Sequence, residues 1–358
     1  MKGDCDMDLK NEELLLPQCR VFVDGKQIKA SEEMIESVTV QLTASQASNS
    51  CEVVIFCDHD HSRSTVGNII SRAAAGKKIR VEMGYKLTRT VFMGYINSSG
   101  VSFGGDGVTL SLSCLDARGL LMGNTSREGF ENKSVSQIVS ELLEPVKSYT
   151  DGVVVSVPGT ADKEYPIFSH DMDDYQFICM LAKLSGCTFY MSGTKLKFVK
   201  DIYSSATVQQ RYTWGKNMIS FDRTVELSGQ LGKVRVYGTV PETLEDFSAE
   251  ASPLGGSGKS GAALCSPIRK KVMEKVSKTV KNQQEARTYA ESLMREACLK
   301  LCTGSAVVPG NEAIAPGTKI KFGGLDPRLN DTYYITGVTH TFNSGGFLTR
   351  IDFCSPTD

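Results

Sequence analysis

The first part of the chain alternates hydrophobic and polar residues in short runs, which is the pattern of half-buried β-strands. The pair Asp24-Gly25 follows the first run and favours a tight hairpin turn. Hydrophobic residues take helical spacing over 65–75, and Gly76 ends this predicted helix. The strand runs are CRVFV, KQI, SVTVQL, CEVVIFC, KKIRVEM, TVFMGYI and VTLSLSC. Many short strands separated by turn residues predict an antiparallel barrel or sandwich.

The pattern changes after the seventh strand run. A helix is predicted in NKSVSQIVSELLEP, where Ser134 and Gln137 have the spacing of a capping box. A second helix is predicted in DMDDYQFICMLAKLSG, and Asp173 and Asp174 stand where an N-cap is expected. A hairpin, CTFYM-SGT-KLKFVK, follows. Residues 119–203 are therefore expected to form a small α+β intermediate domain.

Strand patterns resume with MISFDRTVEL and KVRVYGTV. A flexible loop rich in Gly and Ser is predicted at 241–268, and an amphipathic helix is predicted near 283–303. The runs TKIKF, TYYITGV and FLTRIDFC follow this helix. The domain organisation expected from these patterns is an N-terminal arm at 1–16, a first β-barrel at 17–118 and a second β-barrel at 204–358.

The two β regions resemble each other. Each contains two strands, a helix and three further strands, if FDRTVEL and KVRVYG are the first two strands of the second copy. Such self-similarity indicates duplication of one folding unit. The fold class predicted is mainly β with an α+β insert: two tandem antiparallel β-barrels of one fold joined by a small helix–hairpin domain. The residues expected to be equivalent are Gly76 with Gly317, Gly94 with Gly337, and Cys114 with Cys354.

Composition and charge narrow the functional classes. The 358 residues are 41% hydrophobic and carry a net charge of −1, so there is no electrostatic case for nucleic acid as the main partner. No apolar run approaches the ~20 residues that span a membrane. The polar start, MKGDCDMDLKNEE, lacks the apolar stretch of a signal peptide, so a protein that stays in the cytoplasm or is exported by some other route is expected.

Cysteine is frequent, but its spacing suggests neither disulfides nor metal binding. The count is odd and no C-x-x-C pair occurs, so reduced thiols that pack as small hydrophobes are expected. The eleven cysteines are Cys5, Cys19, Cys51, Cys57, Cys114, Cys179, Cys187, Cys265, Cys298, Cys302 and Cys354.

One stretch, PLGGSGKSGAAL, resembles the second half of a phosphate-binding loop at Gly258, Lys259 and Ser260. Pro253 stands where the first glycine of that motif belongs, and proline has no N–H to offer a phosphate. No apolar strand precedes the stretch. A surface loop is therefore predicted, with a nucleotide hydrolase that uses Lys259 as the disfavoured alternative.

Two other features suggest chemistry only weakly. CDHDH, residues 57–61, contains residue types that bind zinc, but they are contiguous and no second cluster supplies further ligands, so a polar turn is predicted. His340 has no acid or nucleophile nearby in sequence. No catalytic, cofactor-binding or metal-binding residue is expected, and the protein is not expected to be an enzyme.

Four stretches together resemble a known family: FMGYINSSGVSFGGDGVTLSLSCLDARGLL with Asp116, Arg118 and Leu120, KSVSQIVSELL, DMDDYQFICMLAKLSGCTFYMSGTKLKFVK, and PGTKIKFGGLDPRLNDTYYITGVTHTF…GGFLTRIDF with Thr339-His340-Thr341. In this order they resemble phage late-control D proteins, the central baseplate hub of contractile tails. They are also similar to the hub portion of type VI secretion spike proteins. The resemblance extends over residues 17–355.

The resemblance implies a structural role without catalysis or cofactor. Such hubs are trimeric rings of tandem barrels that adapt the hexameric tail tube, or a tube-initiator protein, to the trimeric spike and contact other baseplate proteins. The chain ends directly after the second barrel, so the spike is expected to be a separate chain. Assembly is expected in the cytoplasm, before incorporation into a phage, bacteriocin or toxin-injection particle. The alternatives are a nucleotide- or cell-wall-hydrolysing enzyme, which is disfavoured, and a monomeric two-barrel binding module.

Overall fold

The chain folds mainly into antiparallel sheets. The computed structural model describes residues 16–28, 34–44, 47–58, 63–125, 129–159, 167–168, 172–200, 202–240, 243–277 and 279–358. The elements of these residues, in chain order, are β1 (Gln18–Val23), β2 (Lys26–Gln27), β3 (Met34–Thr43), β4 (Ser50–Asp58), α1 (Arg63–Arg72), β5 (Lys78–Gly84), β6 (Thr88–Gly104), β7 (Gly107–Leu115), β8 (Gly129–Phe130), α2 (Val135–Leu143), β9 (Val153–Ser156), β10 (Ile167–Phe168), α3 (Asp174–Ser185), β11 (Cys187–Ser192), β12 (Lys195–Lys200), α4 (Ile202–Ser205), β13 (Val208–Thr213), β14 (Ser220–Val225), β15 (Lys233–Thr239), β16 (Asp246–Ala251), α5 (Gly261–Cys265), β17 (Val272–Val276), α6 (Gln283–Cys298), β18 (Cys302–Pro309), β19 (Lys319–Gly323), β20 (Thr332–Asn343) and β21 (Gly346–Ser355).

The first β unit has the strand order β3-β4-β7-β6-β5-β1-β2, and all of its strands are antiparallel. The predicted turn between β1 and β2 is confirmed, because Asp24 and Gly25 have φ values of 48° and 78°, as a two-residue hairpin turn with matching twist requires. One face of the sheet supplies a buried core that includes Val21, Val38 and Val81. Helix α1 covers part of this core and ends three residues before the predicted position.

The second β unit repeats this arrangement with the order β14-β18-β21-β20-β19-β13. Its core is aromatic, with Phe322, Tyr333 and Phe353 all buried and their rings in mutual contact. The units differ in one strand direction, since β13 runs parallel to β19 whereas β1 runs antiparallel to β5. The two cores meet at the junction of the units, where Phe347 of β21 is buried in the first core and Leu42 of β3 packs against the second.

The three-strand repeat predicted at the end of each β region is confirmed. The Gly76 N–H donates to the Ile96 carbonyl at 2.8 Å, and the Gly317 N–H donates to the Ile335 carbonyl at 2.9 Å. Each of the hairpins β6–β7 and β20–β21 has a register shift directly after that isoleucine. A bulge at the same place in both copies indicates two versions of one unit.

The predicted equivalence of Gly94 with Gly337, and of Cys114 with Cys354, is wrong. Glycine is required at position 94 because a Cβ there would lie 2.1 Å from the backbone oxygen of Leu115. Sequence spacing missed this because the strands of the two copies differ in length before the bulge. The register gives these equivalent pairs instead: Gly94 with Tyr333, Ser98 with Gly337, Cys114 with Phe353, and Leu115 with Cys354.

The predicted order of the second copy is also wrong. β14 pairs with β18, which takes the place of β4, whereas β15 lies in a separate sheet between β16 and β17. Helix α6 covers that sheet through Ala286, Ala290 and Met294, so a unit with its own core is inserted between β14 and β18. The predicted loop at 241–268 contains β16 and α5, and the predicted helix near 283–303 ends at Cys298.

The α+β part contains the sheet β11-β12-β9 with α2 and α3. The predicted capping box of α2 is present, with the Ser134 side chain accepting from the Gln137 N–H. The predicted N-cap of α3 is Asp173, whose side chain accepts from the Gln176 N–H and forms a second capping box. Asp174 is the first residue of α3 rather than its cap.

A direct strand pair joins the two β units. β20 pairs antiparallel with β3 from Gly337 opposite Thr43 to Phe342 opposite Val38. The described strands of both units therefore form one continuous sheet of thirteen strands. Across the described part of the chain, no helix is both long and apolar enough to cross a membrane.

Candidate functional site

The loop that resembles a phosphate-binding motif is paired with residues 357–358. The Lys259 N–H donates to the Asp358 backbone oxygen at 3.3 Å, and the Asp358 N–H donates to the Lys259 carbonyl at 3.0 Å. Gly258 lies so close that a Cβ would be 1.7 Å from the Asp358 oxygen. Ser260 caps α5, a helix of only five residues. The backbone groups at Lys259 are thus used within the protein, which favours the surface loop over a phosphate cradle.

The CDHDH motif falls largely outside the described residues. Cys57 is buried in β4, but the side chain of Asp58 and residues 59–61 are not described. Within the described ranges, no group of three His, Cys, Asp or Glu side chains could hold a metal ion. The polar-turn reading of this motif stays a prediction.

His340 lies in β20 and is fully buried. Its Nδ1 is 3.0 Å from the hydroxyl oxygen of Thr349 on β21. Burial lowers the pKa of the imidazole to about 4, so the ring is neutral at pH 7. A neutral, buried ring that is hydrogen-bonded to a neighbouring strand fits a structural residue.

The ten described cysteines form no disulfide with one another, and nine of them are buried. Burial raises the pKa of the Cys114 and Cys354 thiols to about 12 and that of Cys179 to about 11. These thiols are protonated at neutral pH and are poor nucleophiles. They pack as small hydrophobic side chains.

A buried ionic cluster lies where the first β unit meets the α+β part. Arg118, in the 3-10 helix Ala117–Leu121, has no exposed surface, and its Nη2 donates to Asp116 Oδ2 at 2.8 Å. The same nitrogen donates to Asn49 Oδ1 at 2.9 Å, and the Asn49 N–H donates to Asp116 Oδ2 at 2.9 Å. The cluster ties the β3–β4 connection to the start of the α+β part. The sequence indicated Asp116 and Arg118 only as part of a family resemblance and did not predict that they form a buried ion pair.

A cavity of about 880 Å³ opens between α3, α6 and the β14–β18–β21–β20 side of the second unit. Its charged side chains largely neutralise one another: Lys183 Nζ and Lys300 Nζ each lie 3.2 Å from a Glu296 oxygen, and Arg350 Nε lies 3.1 Å from Asp352 Oδ1. Burial acts to raise the pKa of the Glu296 carboxyl, but the two lysines outweigh it and the pKa is lowered.

Two strand edges carry open backbone groups. The outer part of β6, residues 97–104, is exposed throughout and pairs with β7 along one side only in the described structure. Val101 and Phe103 are 40% and 73% exposed there. β14 pairs with β18 along one side, and no described strand covers its other side. Such edges invite pairing with a further strand.

The fold is similar to that of proteins from tails and secretion systems. The 43 kDa tail protein of prophage MuSo2 from Shewanella oneidensis has a TM-score of 0.71 at 15% identity, covering 94% of this chain and 98% of that one. The tail protein from Neisseria meningitidis MC58 has a TM-score of 0.71 at 14% identity, covering 95% and 96%. The c3393 protein of E. coli, a component of the type VI secretion system, has a TM-score of 0.60 at 12% identity, covering 93% and 76%.

At these identities the likeness shows the fold alone, and the predicted mainly β fold class is confirmed. No curated protein sequence matches the chain significantly. The family described as the Alg8 N-terminal domain matches residues 14–344, which is most of the chain. The chain therefore belongs to the Alg8 N-terminal domain family.

Proposed function

We propose that this chain is the structural hub of a baseplate, in a contractile phage tail or a related injection particle, and that it acts as a homotrimer without catalysis. The observation that carries the proposal is the pair of equivalent β units within one chain, joined edge to edge by β3 and β20. Three such chains in a ring present six similar units. A ring of this kind can meet a hexamer on one side and a trimer on the other.

The non-repeated parts of the chain support the trimeric side of the adaptor. The α+β part and the sheet β16-β15-β17 with α6 each occur once in the described residues, so a ring of three chains is only three-fold symmetric where they lie. We propose 17–118, 119–203 and 204–358 as the domains. The hexameric partner is the tail tube or a tube-initiator protein, and the trimeric partner is the spike.

The shared fold supports the same proposal, since tail proteins and a secretion-system component have this architecture. Assembly would take place in the cytoplasm, and the ring would then become part of the virion or particle beside other baseplate proteins. The neutralised cavity and the self-paired loop at Lys259 supply no feature that favours a hydrolase over this role.

Cryo-electron microscopy of the intact particle tests the proposal. Three copies of this chain in a ring on the tail axis are expected, with β units facing the tube. Six copies in a ring, or a position away from the axis, would overturn it. A native mass of the purified chain separates the hub from a monomeric binding module, provided that tube and spike proteins are added to allow ring closure.

A further inference from the structure

The two β units are joined by one pair of strands, and the equivalent strands of the opposite units are not paired within the chain. Within the chain, the outer part of β20 pairs with β3. The strand equivalent to β20 in the first unit is β6, and the strand equivalent to β3 in the second unit is β14, as the registers of their neighbours establish. Both of these equivalent edges are open in the described structure. One chain thus contains one formed pair and the two separated halves of another.

Side chains are buried or partly buried on the paired strand β20 and exposed at the equivalent positions of the unpaired strand β6. His340 and Phe342 lie on the inward side of β20, where His340 is fully buried and Phe342 packs against the first core. Their equivalents in β6 are Val101 and Phe103, which are 40% and 73% exposed. Gly100 and Ser102 alternate with them on the other side. The tip of β6 therefore has the inward-facing hydrophobic pattern of a strand whose cover is absent from the monomer.

We propose that the tip of β6 pairs antiparallel with β14 of a second copy of this chain, in the register of the β20–β3 pair. The inference rests on the ring proposed above and specifies its interface. The register of the β20–β3 pair can be transferred to β6 and β14 residue by residue. In each of the resulting pairs the first residue lies on β6 of one copy and the second on or next to β14 of the other: Ser98 and Glu226, Ser99 and Val225, Gly100 and Thr224, Val101 and Arg223, Ser102 and Asp222, Phe103 and Phe221.

This pairing satisfies both edges with one contact. Phe103 would lie beside Phe221, whose ring stacks on Phe353 of the second core, much as Phe342 lies beside Val38 over the first core. The contact is head-to-tail, because it joins two different surfaces of the chain, so repetition closes a ring or grows a filament. In a ring of three, three contacts within chains alternate with three between chains, and all six are alike.

Engineered disulfides in the full chain test the register. Gly100→Cys with Thr224→Cys places thiols opposite each other, within the distance that a disulfide spans. Ser102→Cys with Glu226→Cys is the mismatched control, because its residues are four positions apart along the strand, roughly 13 Å. All four side chains are exposed or, for Gly100, have open space around a Cβ, so both variants should fold. The unmodified chain reports any linkage through native cysteines.

After mild oxidation with tube and spike proteins present, the matched variant should give a covalent trimer on a non-reducing gel, whereas the control should stay a single chain. If native mass spectrometry finds a trimer but the matched variant does not link, or the mismatched variant links equally well, the pairing is wrong while the ring remains. If the mass stays that of one chain and no linkage forms, both the pairing and the ring are wrong.

Discussion

Phe103 and Phe342 occupy equivalent positions in the two hairpins of this chain, yet their surroundings differ. Phe342 lies opposite Val38 of β3 and packs against the first core. Phe103 has no strand beside it in the described structure and is 73% exposed. The equivalent position is thus covered by a neighbouring strand in the second unit and open to solvent in the first. The difference follows from where the chain places a partner strand, since each phenylalanine lies opposite the equivalent position of its own hairpin, Val108 for Phe103 and Phe347 for Phe342.

Replacing Phe103 with aspartate should weaken assembly without weakening the fold. The side chain is already in solvent in one copy, so the free energy of unfolding should change by less than about 0.5 kcal/mol. A carboxylate buried against Phe221 of a neighbour should weaken association about tenfold or more. Analytical ultracentrifugation of Phe103→Asp with tube and spike proteins measures this effect.

Leu87→Asp is the matched control for that variant, because Leu87 is 81% exposed and lies outside the open edge. It should assemble like the unmodified chain. Equal assembly of Phe103→Asp and the unmodified chain would contradict the interface.

Arg118→Met should destabilise the protein strongly. The substitution leaves the Asp116 carboxylate buried beside Asn49 without its cation, which costs about 3–5 kcal/mol in comparable pairs. Urea unfolding measures the loss. Arg350→Met is the control, since the Arg350–Asp352 pair is exposed and such pairs contribute about 1 kcal/mol or less. A loss in Arg118→Met as small as in the control would mean that the cluster does not hold the fold together.

Stability should fall as the pH is lowered from about 6.5 towards 4, and His340 should cause part of that fall. The folded pKa of about 4 lies below the ordinary value of 6.5, so the unfolded chain binds a proton that the folded chain does not. The stability present above pH 6.5 is therefore lost on acidification, by about 2 kcal/mol at pH 5. Urea midpoints between pH 7.5 and pH 5 should decline less in His340→Asn, which cannot titrate there. Parallel curves for the two proteins would refute the assignment.

ATP should not bind at residues 253–262. Pro253 lacks an N–H, and the Lys259 N–H is already directed at Asp358. Isothermal titration calorimetry should give no binding heat for the full chain or for Lys259→Ala, in the presence of magnesium. Micromolar binding that disappears in Lys259→Ala would instead establish a phosphate site in this loop.

Local features of this protein were determined by its sequence. The Asp24-Gly25 turn, the capping box at Ser134, the N-cap at Asp173 and the three-strand repeat are all present as predicted. Each of these features depends on residues that are close together in the chain. Their local side chains are therefore enough to set the backbone conformation. The sequence also showed Asp116 and Arg118 as part of a family resemblance, but it did not reveal that they form a buried ion pair.

The tertiary structure alone decided which strands pair. Alternation identified residues 233–239 as a strand but could not reveal that β14 pairs with β18 across an inserted unit. β18 escaped notice because CTGSAVVP is rich in small residues and lacks clear alternation. The pairing of β3 with β20, and hence the open edges of β6 and β14, joins residues about 300 positions apart. Every edge strand offers the same backbone groups, so only the packing of the whole chain selects the partner.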